Sequence, residues 1–354
     1  MTAWRNAVRT ALASKGPLSQ ERLRAAGDSL RRLVWDPLRL GDRLPALVFV
    51  VLDGTLQFVN LSALPVDGER FVLEEPFAIH YLTSEGDLLR ARSQNRRGGL
   101  LAIGGVEPQF VATAAGEAGC RIPNLPRLPG SVAEVRAIAR LWQRAAPKEQ
   151  TATILLGRDA DERSVRRLAA QARVLHLATH GVFIGAECGA PAGTRGTAGP
   201  SRGATDVTSA PGTALVRALM LLSQGVTSET DAAADGVLTG DEVARLPLSG
   251  LDWAVLSACD TGIGDLAPRE GLFGLSRAFQ IAGAATTIVS LWPVRDDTTA
   301  SWMVRLYRAR LEEHASTADA MKAAALAGLA QARTTLKAPH PERWGAFVAL
   351  GDWR

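Results

Sequence analysis

The chain has 354 residues, 47% of them hydrophobic and 21% charged, with a formal net charge of +4 at pH 7. It is long enough to bury a large core as two domains or one elaborated one, and its composition excludes a disordered or fibrous chain. Three cysteines are too few and too scattered for a disulfide framework, and arginines spread along the chain leave only a weak footprint for nucleic acid.

In chain order, residues 18–35 read as a helix, with Leu23, Leu30, Leu33 and Val34 at helical spacing beside a solvated basic face. Leu47 to Leu52, then Asp53-Gly54, then Thr55 to Val59, predicts a β-hairpin with a primed turn. Phe77 to Leu82 is a strand with His80 packed inside it, and Ser84 is placed to cap a short helix after it. From about residue 100 strands alternate with helices. Leu100–Gly104 and Ala152–Leu156 are strands, with a helix over Ser131–Arg144 between them. A helix over Asp161–Ala172 leads into a strand that ends at His180. Leu238–Leu246 is a short helix in which Thr239 and Glu242 have capping-box spacing. The strand ending at Cys259 follows, then a helix over Glu270–Ala282 closed by Gly283. A strand over Thr286–Trp292, helices over 297–313 and 317–335 and a last strand over Ala346–Leu350 complete the chain. Such alternation predicts an α/β fold with a mostly parallel sheet and helices on both faces.

Residues 185–213 break the pattern. They are Gly, Ala, Ser, Thr and Pro with almost no large apolar group, and read as a flexible insert. The amino-terminal residues open no apolar leader and no run reaches transmembrane length. These features place the chain in a reducing, cytoplasmic setting, off the membrane, where a thiol stays usable.

Two apolar runs end in reactive side chains followed by a turn: Val174-Leu-His-Leu-Ala-Thr-His180-Gly181 and Ala254-Val-Leu-Ser-Ala-Cys259-Asp-Thr-Gly262. Runs of this kind are buried parallel strands, and ligands bind outside the carboxyl ends of such strands. Taken singly, His180 reads as an ordinary strand-end histidine and Cys259 as a small buried hydrophobe. Taken together they are a thiol nucleophile and its proton partner. His176, inside the same strand, reads as a buried, hydrogen-bonded core residue. Zinc shared by His176, His180 and Cys188 fails on geometry, because residues four apart on a strand lie about 13 Å apart. Gly104-Gly105 follows a strand, but neither a GxGxxG nor a P-loop lysine motif is present there.

The run Leu256-Ser-Ala-Cys259-Asp-Thr-Gly262 resembles the cysteine motif of the CHAT family of caspase-like peptidases, and Leu175 to Gly181 its histidine motif. Further runs agree in order: Asp235-Gly-Val-Leu-Thr239, Glu270 to Phe279, Ser290-Leu-Trp-Pro-Val294 and Trp344 to Trp353. The resemblance covers residues 45–353. After a helical lead-in over 1–44, it implies a small β-rich buttressing half over 45–125 and a caspase-like peptidase half over 126–354. It implies a cysteine endopeptidase in which Cys259 attacks the scissile carbonyl and His180 protonates the leaving amine. The oxyanion would be held by the backbone N–H groups of Gly181 and Cys259, with no cofactor and no metal. Leu291-Trp-Pro-Val-Arg-Asp296-Asp297 is similar to a stretch in separases, where the acid matching Asp296 holds a substrate arginine. Asp296 or Asp297 would equally serve as a helix cap. Asp260, Asp265 and Glu270 are further candidates to line the pocket, and Arg195 and Arg202 are candidate processing points in the insert. The partners implied are a specific protein substrate and a regulatory protein, in a signalling or bacterial defence setting, with no nucleic acid required. A catalytically silent caspase-like interaction module is the competing reading.

Overall fold

The structure, a computed structural model, describes residues 3–4, 6–8, 17–40, 44–67, 69–89, 98–107, 125, 127–183, 218–223, 235–257, 259–260, 271–292, 294, 296–336 and 339–354. The chain forms two compact units interleaved along the sequence. Residues 1–92, 140–147 and 288–354 make the first, and residues 93–139 and 148–287 the second.

In the first unit the strands lie in the order β1 (Leu47–Val51), β2 (Ala78–Leu82), β12 (Phe347–Gly351) and β11 (Thr286–Ser290), the last of which runs across the division. β2 is parallel to both β1 and β12, so strands from the first hundred residues and from the last ten share one sheet. Tyr81 on β2 is buried and accepts a hydrogen bond from the Leu61 N–H at 2.8 Å. Asn60, also buried, donates to the Gly345 carbonyl at 2.8 Å and accepts from the Ser62 N–H and the Tyr81 hydroxyl. Pairing of this kind is what makes buried polar groups tolerable. His80 is a packed core residue, as expected: it is buried, and its Nε2 lies 3.0 Å from the Gly351 carbonyl. Helix α1 (Pro17–Val34) precedes these strands, and α6 (Asp296–Leu311) and α7 (Thr317–Leu336) pack on each other, with α7 also against β2 and β12.

One expectation fails here. The segment after β1 is not the second arm of a hairpin but a 3-10 turn over Gly54–Phe58. A type I′ turn needs positive φ at both central residues; Gly54 has it (+56°) but Asp53 is extended, with its carboxylate accepting from the Gly54 N–H at 2.6 Å. β1 therefore takes β2 as its partner, across the intervening turns. The short helix expected after β2 forms as a 3-10 helix over Glu85–Leu89, and Asp87 holds its start. The Asp87 carboxylate accepts from the Thr83 and Ser84 N–H groups at 2.7 and 3.3 Å.

In the second unit the strands lie in the order β9 (Trp253–Leu256), β5 (Ala172–Leu177), β3 (Gly99–Gly104) and β4 (Ala152–Leu156), every pair parallel. Parallel neighbours need a crossover, and helices supply it: α2 (Pro129–Ala145) precedes β4 and α3 (Glu162–Ala169) precedes β5. Residues Leu100 to Ile103 are all buried, which explains why β3 reads as a continuous apolar run rather than an alternating one. Asp161 caps α3, accepting from the Ser164 N–H at 2.8 Å. The helix ends three residues short of the expected Ala172, because Ala172 already begins β5. A second sheet has the order β10 (Cys259–Asp260), β6 (His180–Phe183), β7 (Ala218–Leu221) and β8 (Val237–Thr239). α4 (Gly240–Ala244) opens with the expected capping box between Thr239 and Glu242. α5 (Gly271–Ala282) packs on β6 and β7 and stops at Gly283, whose φ of +109° favours glycine. Among the described residues no helix is long and apolar enough to cross a membrane.

Candidate active site

Neither reactive residue ends the strand that leads to it. β5 stops at Leu177 and β9 at Leu256; His180 and Cys259 instead open two new strands, β6 and β10. The register survives the interruption. Leu177 pairs with Leu256 in the first sheet and His180 pairs with Cys259 in the second, the same step along both chains. The two runs thus pair again in the second sheet three residues after their last pairing in the first. Neighbouring strands lie about 4.8 Å apart, so the Cα positions of His180 and Cys259 are one strand spacing from each other. Asp260 faces Gly181 in the same ladder.

The His180 strand is held on its other flank. β7 runs antiparallel to β6, with Gly181 opposite Met220, and β8 runs antiparallel to β7. Thr179, the residue before His180, is buried and donates its hydroxyl to the Leu221 carbonyl, which anchors the start of β6 to β7. His180 itself is only 4% exposed. One strand earlier, the wholly buried His176 has its Nε2 2.8 Å from the Glu134 carboxylate on α2, as expected of a hydrogen-bonded core residue.

The sequence matches the CHAT domain over residues 24–352. The chain belongs to the CHAT-domain family. No curated protein matches it. Solved structures similar to this CHAT domain include two of gingipain. One is the Arg-specific cysteine proteinase gingipain R, at 11% identity and a TM-score of 0.49, over 92% of this chain and 66% of that one. The other is a complex of the pro- and mature domains of Porphyromonas gingivalis RgpB, at 9% identity and a TM-score of 0.42, over 78% and 56%. The chain spans just under two thirds of the first and just over half of the second.

Asp296 and Asp297 are the first two residues of α6, and Asp296 belongs to the first unit. Asp265, Glu270, Cys188, Arg195, Arg202 and the insert over 185–213 lie outside the described residues. Asp67 and Glu69 stand in a surface loop, where Arg70 lies 3.7 Å from Asp67 and the Glu69 carbonyl accepts from Arg333. Among the described residues no cluster of His, Cys, Asp and Glu is arranged to hold a metal.

Two supporting residues went unread in the sequence. Glu134 carries a signal: it sits on the buried face of α2 with Ser131, Val135 and Ile138, where a carboxylate needs a partner. Thr179 carries none, because its acceptor lies on a strand some forty residues away.

Proposed function

We propose that this CHAT domain is a cysteine endopeptidase in which Cys259 is the nucleophile and His180 the proton partner. The observation that carries this reading is the Cys259–His180 register pair at the start of β10 and β6. A thiol attacks best as thiolate, and an imidazole one strand away is the group that takes its proton and returns it to the leaving amine. The substrate carbonyl would sit at this edge with its developing oxyanion toward the backbone N–H groups of Cys259 and Gly181. Asp296 is the proposed partner of a substrate arginine, since a carboxylate receives a guanidinium in bidentate fashion, and Asp260 is a second lining acid. The substrate is a specific protein, cut in a regulated signalling or defence setting under the control of a protein partner.

The test is mass spectrometry of new protein termini with wild type, Cys259→Ala and His180→Ala. Cleavage falls to background in both variants while circular dichroism stays that of the wild type. Cleavage that persists in either variant overturns the dyad. A wild-type chain that cuts nothing and whose Cys259 resists a thiol probe supports the silent interaction module instead. Asp296→Ala lowers cleavage after arginine at least tenfold relative to other residues; an unchanged profile removes Asp296 from the pocket.

A further inference from the structure

Helices α6 and α7 of the first unit do not close completely on each other. A cleft of about 330 Å³ remains between them, within the size range of small-molecule sites. Its walls have an uneven chemistry. α6 contributes Thr298, Ser301, Trp302 and Arg305, which recur at helical spacing and so share one face. α7 answers mostly with small residues, Ala324, Ala327, Gly328 and Ala332, beside Gln331 and Thr335, and Arg343 enters from the 3-10 turn before β12. Gly328 cannot be larger, because a Cβ there would stand 2.8 Å from the Trp344 Cβ.

The charge in this cleft is of one sign. Arg305 and Arg343 line it and no carboxylate does. Both guanidiniums are partly withdrawn from water, with side-chain exposures of 29% and 16%. Each has an acid outside the cleft: Glu313 takes two bonds from Arg305, and Glu342 lies 3.6 Å from the Arg343 Nε. A guanidinium carries five N–H donors, so both keep donors for a second acceptor. The floor is rigid. Trp302 is buried, donates its indole N–H to the Trp344 carbonyl at 3.2 Å and lies 4.6 Å from the Phe347 ring.

We infer that the α6–α7 cleft binds a small organic oxyanion, whose charged group is held by Arg305 and Arg343 and whose apolar body lies over Gly328 and Trp302. The oxyanion is a carboxylate or a phosphomonoester; both accept from paired guanidiniums. The Cys259–His180 pair lies in the other unit.

Calorimetric titration of the full chain with four probes tests it: phenyl phosphate, benzoate, inorganic phosphate and phenol. At least one of the first two binds ten times more tightly than inorganic phosphate or phenol, which lack either the body or the charge. Preference between phenyl phosphate and benzoate tells which oxyanion the site takes. Arg343→Met and Arg305→Met each weaken that binding at least tenfold. Ala327→Leu, which fills the open mouth of the cleft, abolishes it while thermal unfolding shows the fold intact. Absence of binding by all four probes at 10 mM overturns the inference, as does binding that is unchanged in both arginine variants. Equal affinity for inorganic phosphate and for the tighter of phenyl phosphate and benzoate overturns the contact with an apolar body.

Discussion

His80 in the first unit and His180 in the second are both buried histidines on strands, and they differ in where their strands stand. His80 lies in the interior of β2, with the Gly351 carbonyl of the neighbouring β12 beside its imidazole. His180 opens β6, at the point where two strands have left one sheet and begun another, and its register partner is Cys259. Burial alone therefore separates nothing. His80 lies inside a ladder between two strands of one sheet, whereas His180 stands at a break in the pairing, opposite Cys259. His176 makes the same point within the second unit: four residues from His180, inside β5, it is taken up by Glu134.

The largest expected effect separates the two histidines outright. His180→Ala reduces cleavage to background, while His80→Gln retains the wild-type rate within about twofold, since an amide can also bond the Gly351 carbonyl. Equal loss in both variants would erase the distinction drawn here.

Next comes Glu134→Ala, which leaves the His176 imidazole buried without its carboxylate. A buried polar group deprived of its partner costs about 1–3 kcal/mol, read as a lower urea midpoint at unchanged slope. A stability equal to wild type would show that the pair is not needed to hold β5.

The two units are also expected to answer pH with opposite sign. In the first, burial depresses the His80 imidazole to about 4, against bonding to Gly351 that works the other way. Its folded value is below its unfolded one, so its contribution is complete above pH 6.5 and is lost as pH falls toward 4. Urea unfolding at pH 7 and pH 4.5 should show this acid loss, reduced in His80→Gln. In the second unit burial raises the Glu162 carboxyl to about 7, opposed by the neighbouring Arg166, which also reaches Glu242 at 2.7 Å. Here the folded chain keeps a proton that the unfolded chain releases. That contribution is present below pH 4.5 and is lost as pH rises to 7. Glu162→Gln should flatten this part of the profile, the smallest of the expected effects. A steeper alkaline loss in that variant would reverse the sign assigned to Glu162.

Much of this architecture is legible locally. Each core strand of the second unit is a short apolar run between turn signals, and the capping box at Thr239 and Glu242 and the stop at Gly283 appear where the residues call for them. The hairpin at Asp53-Gly54 was misleading for a physical reason. A turn signal says that the chain bends, and only the competing strands decide whether its arms pair with each other or with something distant. The segment Val174 to His180 misled in a milder way, since an unbroken apolar run gives no sign that its pairing changes sheets after Leu177.

From its own residues this chain specifies an α/β fold, the membership in the CHAT family carried by ordered motifs, and the histidine and cysteine proposed as the dyad. These follow from local propensity, periodicity and side-chain chemistry, all of which act over a few bonds. What only the folded chain decides is that His180 and Cys259 share a register, that Glu134 meets His176, and that α6 and α7 leave a cationic cleft. Each of those depends on segments far apart in sequence, brought together by backbone pairing and by burial of surface that no single segment covers alone.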